Sequence, residues 1–321
     1  MTLFLSIIIF LISACILYIA GELIVNGLLY IARYFGVTEF VVAFFVMAVA
    51  ASLPNLFVGV SSALRGIPEL SFGDVMGNNM IALTVAVGFA VFFSPKKEIP
   101  ANSHTVQSTA VFTIVAAILP IILISDGVLS RLDGVILIAF FAYYIYWIFS
   151  KKERFSKVYE EHEQKIIAET KKMFVSVVKI TAGVLLLLIA AQGIVMSASW
   201  VAVELGLPLV LIGILVLGFG SALPEIYFGI SSARKGETSM ILGNLMGAVI
   251  IPASLIIGIV ALIHPITSTG LEFSLVNRLF LIAAALFFFI FTKTGQEITK
   301  KESYFLISLY VFFIIAIIWM S

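Results

Sequence analysis

The chain contains a long internal duplication, and this feature limits its possible folds more than any other. Residues 50–79, AASLPNLFVGVSSALRGIPELSFGDVMGNN, align without a gap with residues 220–249, GSALPEIYFGISSARKGETSMILGNLMGAV. Ten of the thirty aligned pairs are identical. The identical pairs include Pro54/Pro224, Gly59/Gly229, Ser61/Ser231, Gly66/Gly236, Gly73/Gly243 and Gly77/Gly247. A repeat of this length predicts two structurally related halves in one chain.

The composition places these halves in a membrane. The chain is 62% hydrophobic and 12% charged, whereas soluble domains carry about 25% charged residues. Its mean hydropathy of +1.18 indicates a polytopic helical membrane protein in contact with a lipid bilayer. The net charge of +1 argues against a nucleic-acid partner. A duplicated membrane chain is typical of transporters, in which the Pro- and Gly-broken helices of both halves meet at the midplane.

Apolar runs of about 20 residues predict membrane-spanning helices. The hydrophilic segment 151–172 divides them into a first repeat, 1–150, and a second repeat, 173–321, with five spans each. An odd number of spans per repeat means that the second is inserted upside down. We therefore predict an all-α integral membrane protein of ten transmembrane helices in two inverted five-helix repeats. The predicted spans are 2–33, 38–64, 69–93, 105–125, 130–150, 173–203, 208–233, 239–263, 273–292 and 303–320.

The distribution of basic residues predicts the orientation in the cell membrane. With the N-terminus outside, the outer loops hold only Arg65, Arg131 and Arg278, and the other 16 of the 19 Lys and Arg residues fall inside. Basic residues accumulate on the cytoplasmic side of membrane proteins. Both termini are therefore expected outside, and the charged segment 151–172 is expected to be a cytoplasmic linker.

Polar residues cluster around the two prolines that the repeat aligns within the predicted spans. Each polar group is costly there and needs a reason. Pro54 and Pro224 each remove a backbone hydrogen-bond donor, so we expect free carbonyls around Ala48 and Gly218 to face a cavity. Hydroxyl, amide, carboxylate and carbonyl oxygens together favour hard cations such as Na⁺ or Ca²⁺ over zinc or copper. The side chains concerned are Ser52, Asn55, Asp74, Asn78, Ser221, Glu225 and Asn244.

The two segments resemble the α-1 and α-2 repeats of the Ca²⁺/cation antiporter superfamily, the group of sodium/calcium exchangers. The core of that family reads G-T/S-S-x-P-E followed by G-N-x-x-G-S-N, and its matches here are Ser52, Pro54, Asn79, Ser221, Glu225 and Asn244. The resemblance implies a transporter and not an enzyme. This transporter would exchange Na⁺ and Ca²⁺ by alternating access and would need no cofactor besides the transported ions. It also implies a monomeric transport unit. Together with the proline geometry and the polar residues of the spans, it predicts a midplane ion site formed by Ala48, Ser52, Asn55, Asp74, Asn78, Gly218, Ser221, Glu225 and Asn244.

Several positions depart from the family pattern. Asn55 stands where the first repeat usually has a glutamate, and Pro252 stands where some relatives carry a carboxylate. Asp74 stands where the family usually has asparagine, so each repeat holds one carboxylate and one amide in swapped order. Asp74 is either an ion ligand or an acid that caps the start of a helix.

These departures leave the transported ion open. Two unit charges about 4 Å apart interact by roughly 4 kcal/mol at an effective dielectric near 20, and a divalent ion doubles this. The loss of one carboxylate therefore weakens Ca²⁺ binding unless Asp74 or another group replaces it. Glu225 alone suits a monovalent ion or a proton. The alternatives are thus a proton-coupled or monovalent-cation antiporter on the same fold, or a transport-inactive relative.

A further carboxylate, Glu22, lies within the first span and aligns with Gln192 at the same offset as the main repeat. It either neutralises a cation on its access path or forms a hydrogen bond with a neighbouring helix. The sequence favours the hydrogen bond.

Overall fold

The computed structural model describes residues 3–34, 47–150, 166–234, 236, 238–267 and 271–320. Over these ranges the chain is helical, as predicted. The α-helices are α1 (Leu3–Tyr34), α2 (Met47–Leu64), α3 (Glu69–Ile81), α4 (Val87–Phe93), α5 (His104–Leu123), α6 (Arg131–Ser150), α7 (Ile166–Leu205), α8 (Leu209–Ile212), α9 (Gly218–Arg234), α10 (Thr238–Ile250), α11 (Ile257–Ile263), α12 (Leu271–Lys293) and α13 (Lys300–Met320).

Three π-helical segments join successive helices into longer rods. Ala82–Ala86 joins α3 to α4, Gly213–Leu217 joins α8 to α9, and Ile251–Ile256 joins α10 to α11. Pro252 lies in the last of these, where its missing donor favours the wider turn. Thr84 and Ser254 donate their hydroxyls to the carbonyls of Met80 and Ile250, four residues earlier, and so supply alternative donors in two of the widened turns.

Nine of the described helices are long and apolar enough to cross a membrane. The remaining predicted span, 38–64, is the second in chain order. It is described only from Met47, and residues 35–46 lie outside the described ranges. Within the predicted linker, residues 151–165 are also outside them, whereas α7 begins already at Ile166. The last part of this hydrophilic segment is therefore continuous with the following span.

The bounds of the elements recur along the chain at an offset of about 170 residues. Val87–Phe93 corresponds to Ile257–Ile263, and the π segment Ala82–Ala86 corresponds to Ile251–Ile256. The recurrence extends well beyond the aligned segments 50–79 and 220–249. Similar sequence spacing thus produces the same succession of helix, widened turn and helix in both halves.

Two short antiparallel ribbons, which the all-α prediction did not contain, connect the halves. β1 (Glu98–Pro100) pairs with β4 (Glu297–Thr299), and Ile99 lies opposite Ile298. β2 (Val128–Leu129) pairs with β3 (Ile266–Thr267). Each ribbon joins a connection of the first half to one of the second, so backbone hydrogen bonds tie the two halves together outside the helices.

The rods in the middle of each half form the core. In the apolar stretch of Glu69–Phe93, 89% of the residues are buried inside the protein, compared with 17% for Leu3–Leu28. α1 and α7 lie at the periphery and pack mainly against each other. A Cβ atom added at Gly27 would lie 2.6 Å from Ile180 Cγ1, so small residues let these two long helices approach closely.

The close approach that positions the site is a glycine crossing between α3 and the α8–α9 rod. A Cβ atom at Gly213 would lie 2.5 Å from the Leu70 carbonyl oxygen, and one at Gly218 would lie 2.7 Å from Gly77 Cα. The atoms in the way are backbone atoms, which cannot rotate aside. The glycines therefore bring the backbones of the two halves into direct contact.

We expect Gly218→Ala to lower stability by about 1–3 kcal/mol, because the methyl group forces two packed backbones apart. Thermal unfolding of the purified protein in detergent measures the effect. Gly220→Ala is the matched control on the same helix, since a Cβ atom there would meet none of the described residues within 4 Å. If Gly218→Ala unfolded at the same temperature as Gly220→Ala, the two packed backbones would tolerate being moved apart.

Candidate functional site

The crossing of α3 and α9 places a carboxylate of the first half against a hydroxyl of the second. The Ser221 hydroxyl donates hydrogen bonds to Asp74 Oδ1 at 2.8 Å and to the Gly218 carbonyl oxygen at 3.3 Å. Asp74 is only 2% exposed. Because α3 begins at Glu69, Asp74 lies in the second turn of the helix and cannot cap its start. The helix-capping explanation of Asp74 is thus wrong.

A second polar contact joins positions that the repeat makes equivalent. Asn78 Nδ2 donates to the Ala248 carbonyl oxygen at 3.2 Å, across a sequence separation of 170. Within the described part of the chain, Asn78 Oδ1 and both polar atoms of Asn79 are buried without a hydrogen-bond partner. Buried amides without partners are rare in proteins. These amide atoms are therefore available to bind a ligand at the crossing.

Glu225 follows Pro224 inside α9 and is 5% exposed. Its Oε2 atom has no hydrogen-bond partner among the described residues. A buried carboxylate oxygen without a donor is costly in an apolar span. The rest of the site must therefore supply a compensating partner, such as a cation or a proton.

The carbonyl prediction needs a correction. The Gly218 carbonyl oxygen already accepts a bond from Ser221, and Gly218 is not among the residues that line the two cavities described below. A proline displaces the carbonyl four residues before it, which for Pro224 is that of Gly220, and Gly220 does line a cavity. Ala48 lies within α2, but its surroundings are outside what the structure describes.

Two adjoining cavities lie next to the paired prolines Pro54 and Pro224. The Glu225 cavity, of about 250 Å³, has Glu22, Asn26, Glu225 and Asn244 as its carboxylate and amide groups. The Asp74 cavity, of about 460 Å³, has Asn55, Asp74 and Ser221 as its carboxylate, amide and serine groups. Both cavities share the wall formed by Leu17, Tyr18, Ala51, Pro54 and Pro224.

The carboxylate and the amide of each repeat thus line the same cavity. Asn55 and Asp74 from the first repeat line one cavity, whereas Glu225 and Asn244 from the second repeat line the other. Ser52 and Asn78 are buried nearby but are not among the lining residues. Of the side chains predicted to form one site, five therefore face two adjoining cavities.

The sequence prediction of the site did not include the contribution of α1. The side chains of Tyr18, Glu22 and Asn26 recur every four residues along this helix and line the Glu225 cavity. The Tyr18 hydroxyl donates to Glu22 Oε1 at 3.0 Å, so among the described residues Glu22 has its hydrogen-bond partner on its own helix, whereas the sequence favoured a neighbouring one. The i, i+4 spacing of these polar residues in an apolar span was the available signal.

Apart from Cys15 in the Asp74 cavity, the side chains of both cavities that could bind a cation are oxygen ligands. Within the described ranges, no group of three or more His, Cys, Asp or Glu side chains could hold a metal ion. A cation bound here would need amide oxygens, hydroxyls or water in addition to carboxylates. Such mixed oxygen ligands suit hard cations.

Many apolar helices, buried carboxylates at a crossing of two halves, and polar cavities beside them define a membrane transporter for small cations. The profile of the sodium/calcium exchanger protein family matches residues 5–150 and 175–319. The chain belongs to this family, which confirms the resemblance of its two repeats. Its family and fold are those of transporters and not of enzymes.

Individual relatives agree with this assignment. The chain is 27% identical over 239 residues to the uncharacterized membrane protein MJ0091 of Methanocaldococcus jannaschii, with 74% of this chain and 76% of that protein covered. It is 23% identical to the sodium/calcium exchanger MaX1 of Methanosarcina acetivorans, with 82% and 84% covered. The solved structure of the sodium-calcium exchanger NCX_Mj, soaked with Na⁺ and Sr²⁺, has the same fold, with a TM-score of 0.66, 23% identity and 98% of each chain covered.

Proposed function

We propose that this protein is a secondary active antiporter that exchanges Ca²⁺ for Na⁺ across the cell membrane. The observation that carries the proposal is the presence of two buried carboxylates, Asp74 and Glu225, at the glycine crossing, each facing a cavity. Buried carboxylates within spans commonly mark ion pathways. The names of the family and of MaX1 support sodium and calcium as the ions.

The mechanism we propose is alternating access between two inverted five-helix repeats. α1 and α7 are peripheral and pack chiefly on each other, so they are the elements that can move as a pair against the core. Their displacement would open the oxygen-lined site to one side of the membrane and close it to the other. Both termini lie outside and the 151–172 segment lies in the cytoplasm in this topology.

Calcium flux in proteoliposomes tests the proposal. ⁴⁵Ca²⁺ uptake is measured under an imposed Na⁺ gradient and, separately, under a pH gradient, with protein-free vesicles as the blank. Uptake driven by the Na⁺ gradient is the expected result. Uptake equal to the blank under both gradients would overturn calcium antiport.

A proton-coupled or monovalent-cation antiporter is the second candidate. It is favoured by one observation, that Asp74 and Glu225 line different cavities. The Asp74 cavity has a single carboxylate, and one negative charge is balanced by one Na⁺ or one proton. Calcium uptake driven by the pH gradient alone, or flux of monovalent ions without calcium, would identify this candidate.

A further inference from the structure

We propose that Glu22 on α1 supplies the second negative charge of a divalent-cation site, which it forms with Glu225, Asn26 and Asn244. The site rests on the proposed function, since its ion would be the transported Ca²⁺. It differs from the site that the repeats predict, because one of its carboxylates lies outside both repeat motifs.

The first argument is the position of Glu22. It is the only charged residue in the apolar stretch Leu3–Leu28, where a carboxylate is costly unless it serves an ion or a partner. The Tyr18 hydroxyl contacts Oε1 alone. A carboxylate can accept several hydrogen bonds or metal bonds, so this contact leaves Glu22 with ligand capacity toward the cavity that it lines.

The second argument is the state of Glu225. Its side chain is 5% exposed, lines the same cavity as Glu22, and has an Oε2 atom without a hydrogen-bond partner among the described residues. A buried acceptor without a donor points to a cationic ligand or a proton. Asn244, 8% exposed, lines the cavity beside it.

The third argument is charge and coordination. Glu22 and Glu225 together carry two negative charges, which balance one divalent ion, whereas Asp74 faces the other cavity and is held by Ser221. Two carboxylates and two amides offer up to six oxygen ligands, and Ca²⁺ takes about 6–8 at flexible geometry. The cavity volume of about 250 Å³ is far above the roughly 15 Å³ that a single water molecule needs, so water can complete the coordination.

The arrangement also couples binding to the position of α1. Glu22 and Asn26 lie on the peripheral α1, whereas Glu225 lies on α9 and Asn244 lies on α10. An ion held by both groups joins the moving helix to the core. Displacement of α1 would then divide the ligand set and release the ion.

Equilibrium binding of ⁴⁵Ca²⁺ to the purified full chain tests the site. We expect Glu22→Gln to raise the Kd at least about tenfold, because it removes one of two charges next to a divalent ion. Glu204→Gln is the matched control, since Glu204 is exposed on α7 and does not line either cavity. Glu22→Asp keeps the charge and should retain part of the Ca²⁺ affinity. This variant tests the site even if Glu22→Gln folds poorly.

Tyr18→Phe separates an ion ligand from a structural hydrogen bond. If Glu22 matters only as the acceptor for Tyr18, both Tyr18→Phe and Glu22→Gln should affect the protein equally. We expect Tyr18→Phe to retain ⁴⁵Ca²⁺ binding. Equal losses in the two variants would overturn the site.

The outcomes also distinguish this inference from the proposed function. Wild-type affinity in Glu22→Gln, together with lost binding in Glu225→Gln, would overturn the role of Glu22 and leave calcium antiport standing. An absence of ⁴⁵Ca²⁺ binding in the wild-type protein would overturn the divalent site itself. The flux measurement under Na⁺ and pH gradients then decides independently whether antiport of another ion remains.

Discussion

Glu225→Gln is expected to abolish Na⁺-driven ⁴⁵Ca²⁺ uptake, to the level of protein-free vesicles, in a protein that still folds. A single carboxylate about 4 Å from a divalent ion contributes roughly 8 kcal/mol of coulombic attraction at an effective dielectric near 20. Even half of this corresponds to roughly three orders of magnitude in affinity. Glu225 is the one carboxylate that the second repeat contributes to the site, so its loss should have the largest effect on transport.

We expect Glu225→Gln to keep the fold of the wild type. Glutamine has nearly the same shape as glutamate, and removal of the charge relieves the desolvation cost of a side chain that is 5% exposed. The melting temperature without ions is therefore expected to equal or exceed that of the wild type. Calcium should raise the melting temperature of the wild type and not that of Glu225→Gln, because only a bound ligand stabilises the folded state.

Glu204→Gln provides the matched loss of charge away from the cavities. It should transport calcium at the wild-type rate. If Glu225→Gln also transported at that rate, Glu225 would have no part in ion binding, and the family assignment would then describe the scaffold alone.

The sequence predicted most of the helices because the bilayer imposes their length. The predicted span 69–93 coincides with the observed rod Glu69–Phe93, since both ends are set by the limits of one apolar run. Breaks within the rods could not be placed in the same way. The π segment Ala82–Ala86 contains no proline, so its sequence lacks the feature that marks a break at Pro252.

The residues of the site were easier to predict than their grouping. Asn55, Asp74, Ser221, Glu225 and Asn244 all line cavities, as polar groups within apolar spans must have a partner. Their division between two cavities depends on how the helices cross at Gly77 and Gly218, which a sequence motif does not record. The carbonyl prediction missed Gly220 because it placed the free carbonyl six residues before Pro224, whereas a proline leaves the carbonyl four residues before it without a donor.

The contribution of Glu22 required the tertiary structure for a different reason. Residues Tyr18, Glu22 and Asn26 form a polar stripe on α1, but the stripe alone fits an internal hydrogen bond as well as a cavity wall. Only the packing of α1 beside Pro54 shows that the stripe faces Glu225.

Asp74→Asn should slow Na⁺-driven ⁴⁵Ca²⁺ uptake at least about tenfold and lower equilibrium Ca²⁺ affinity much less than Glu225→Gln does. The physical reason is that Asp74 lines the cavity that does not contain Glu225. Removal of its charge deprives a monovalent counter-ion of its ligand, whereas the Ca²⁺ ligands remain. Uptake rates in proteoliposomes and Kd values in detergent, measured on the same preparation, check both parts.

Ser221→Ala separates the charge of Asp74 from its hydrogen bond. Asparagine at position 74 retains an oxygen that can accept from the Ser221 hydroxyl, as Oδ1 of Asp74 does at 2.8 Å, whereas Ser221→Ala keeps the charge and removes this donor. A transport defect in Asp74→Asn that Ser221→Ala does not share would therefore identify the charge as the essential property. Equal loss of calcium affinity in Asp74→Asn and Glu225→Gln would instead mean that both carboxylates hold one ion, as the repeat motifs alone predicted. Wild-type uptake by Asp74→Asn would reduce Asp74 to a structural acceptor at the crossing of α3 and α9.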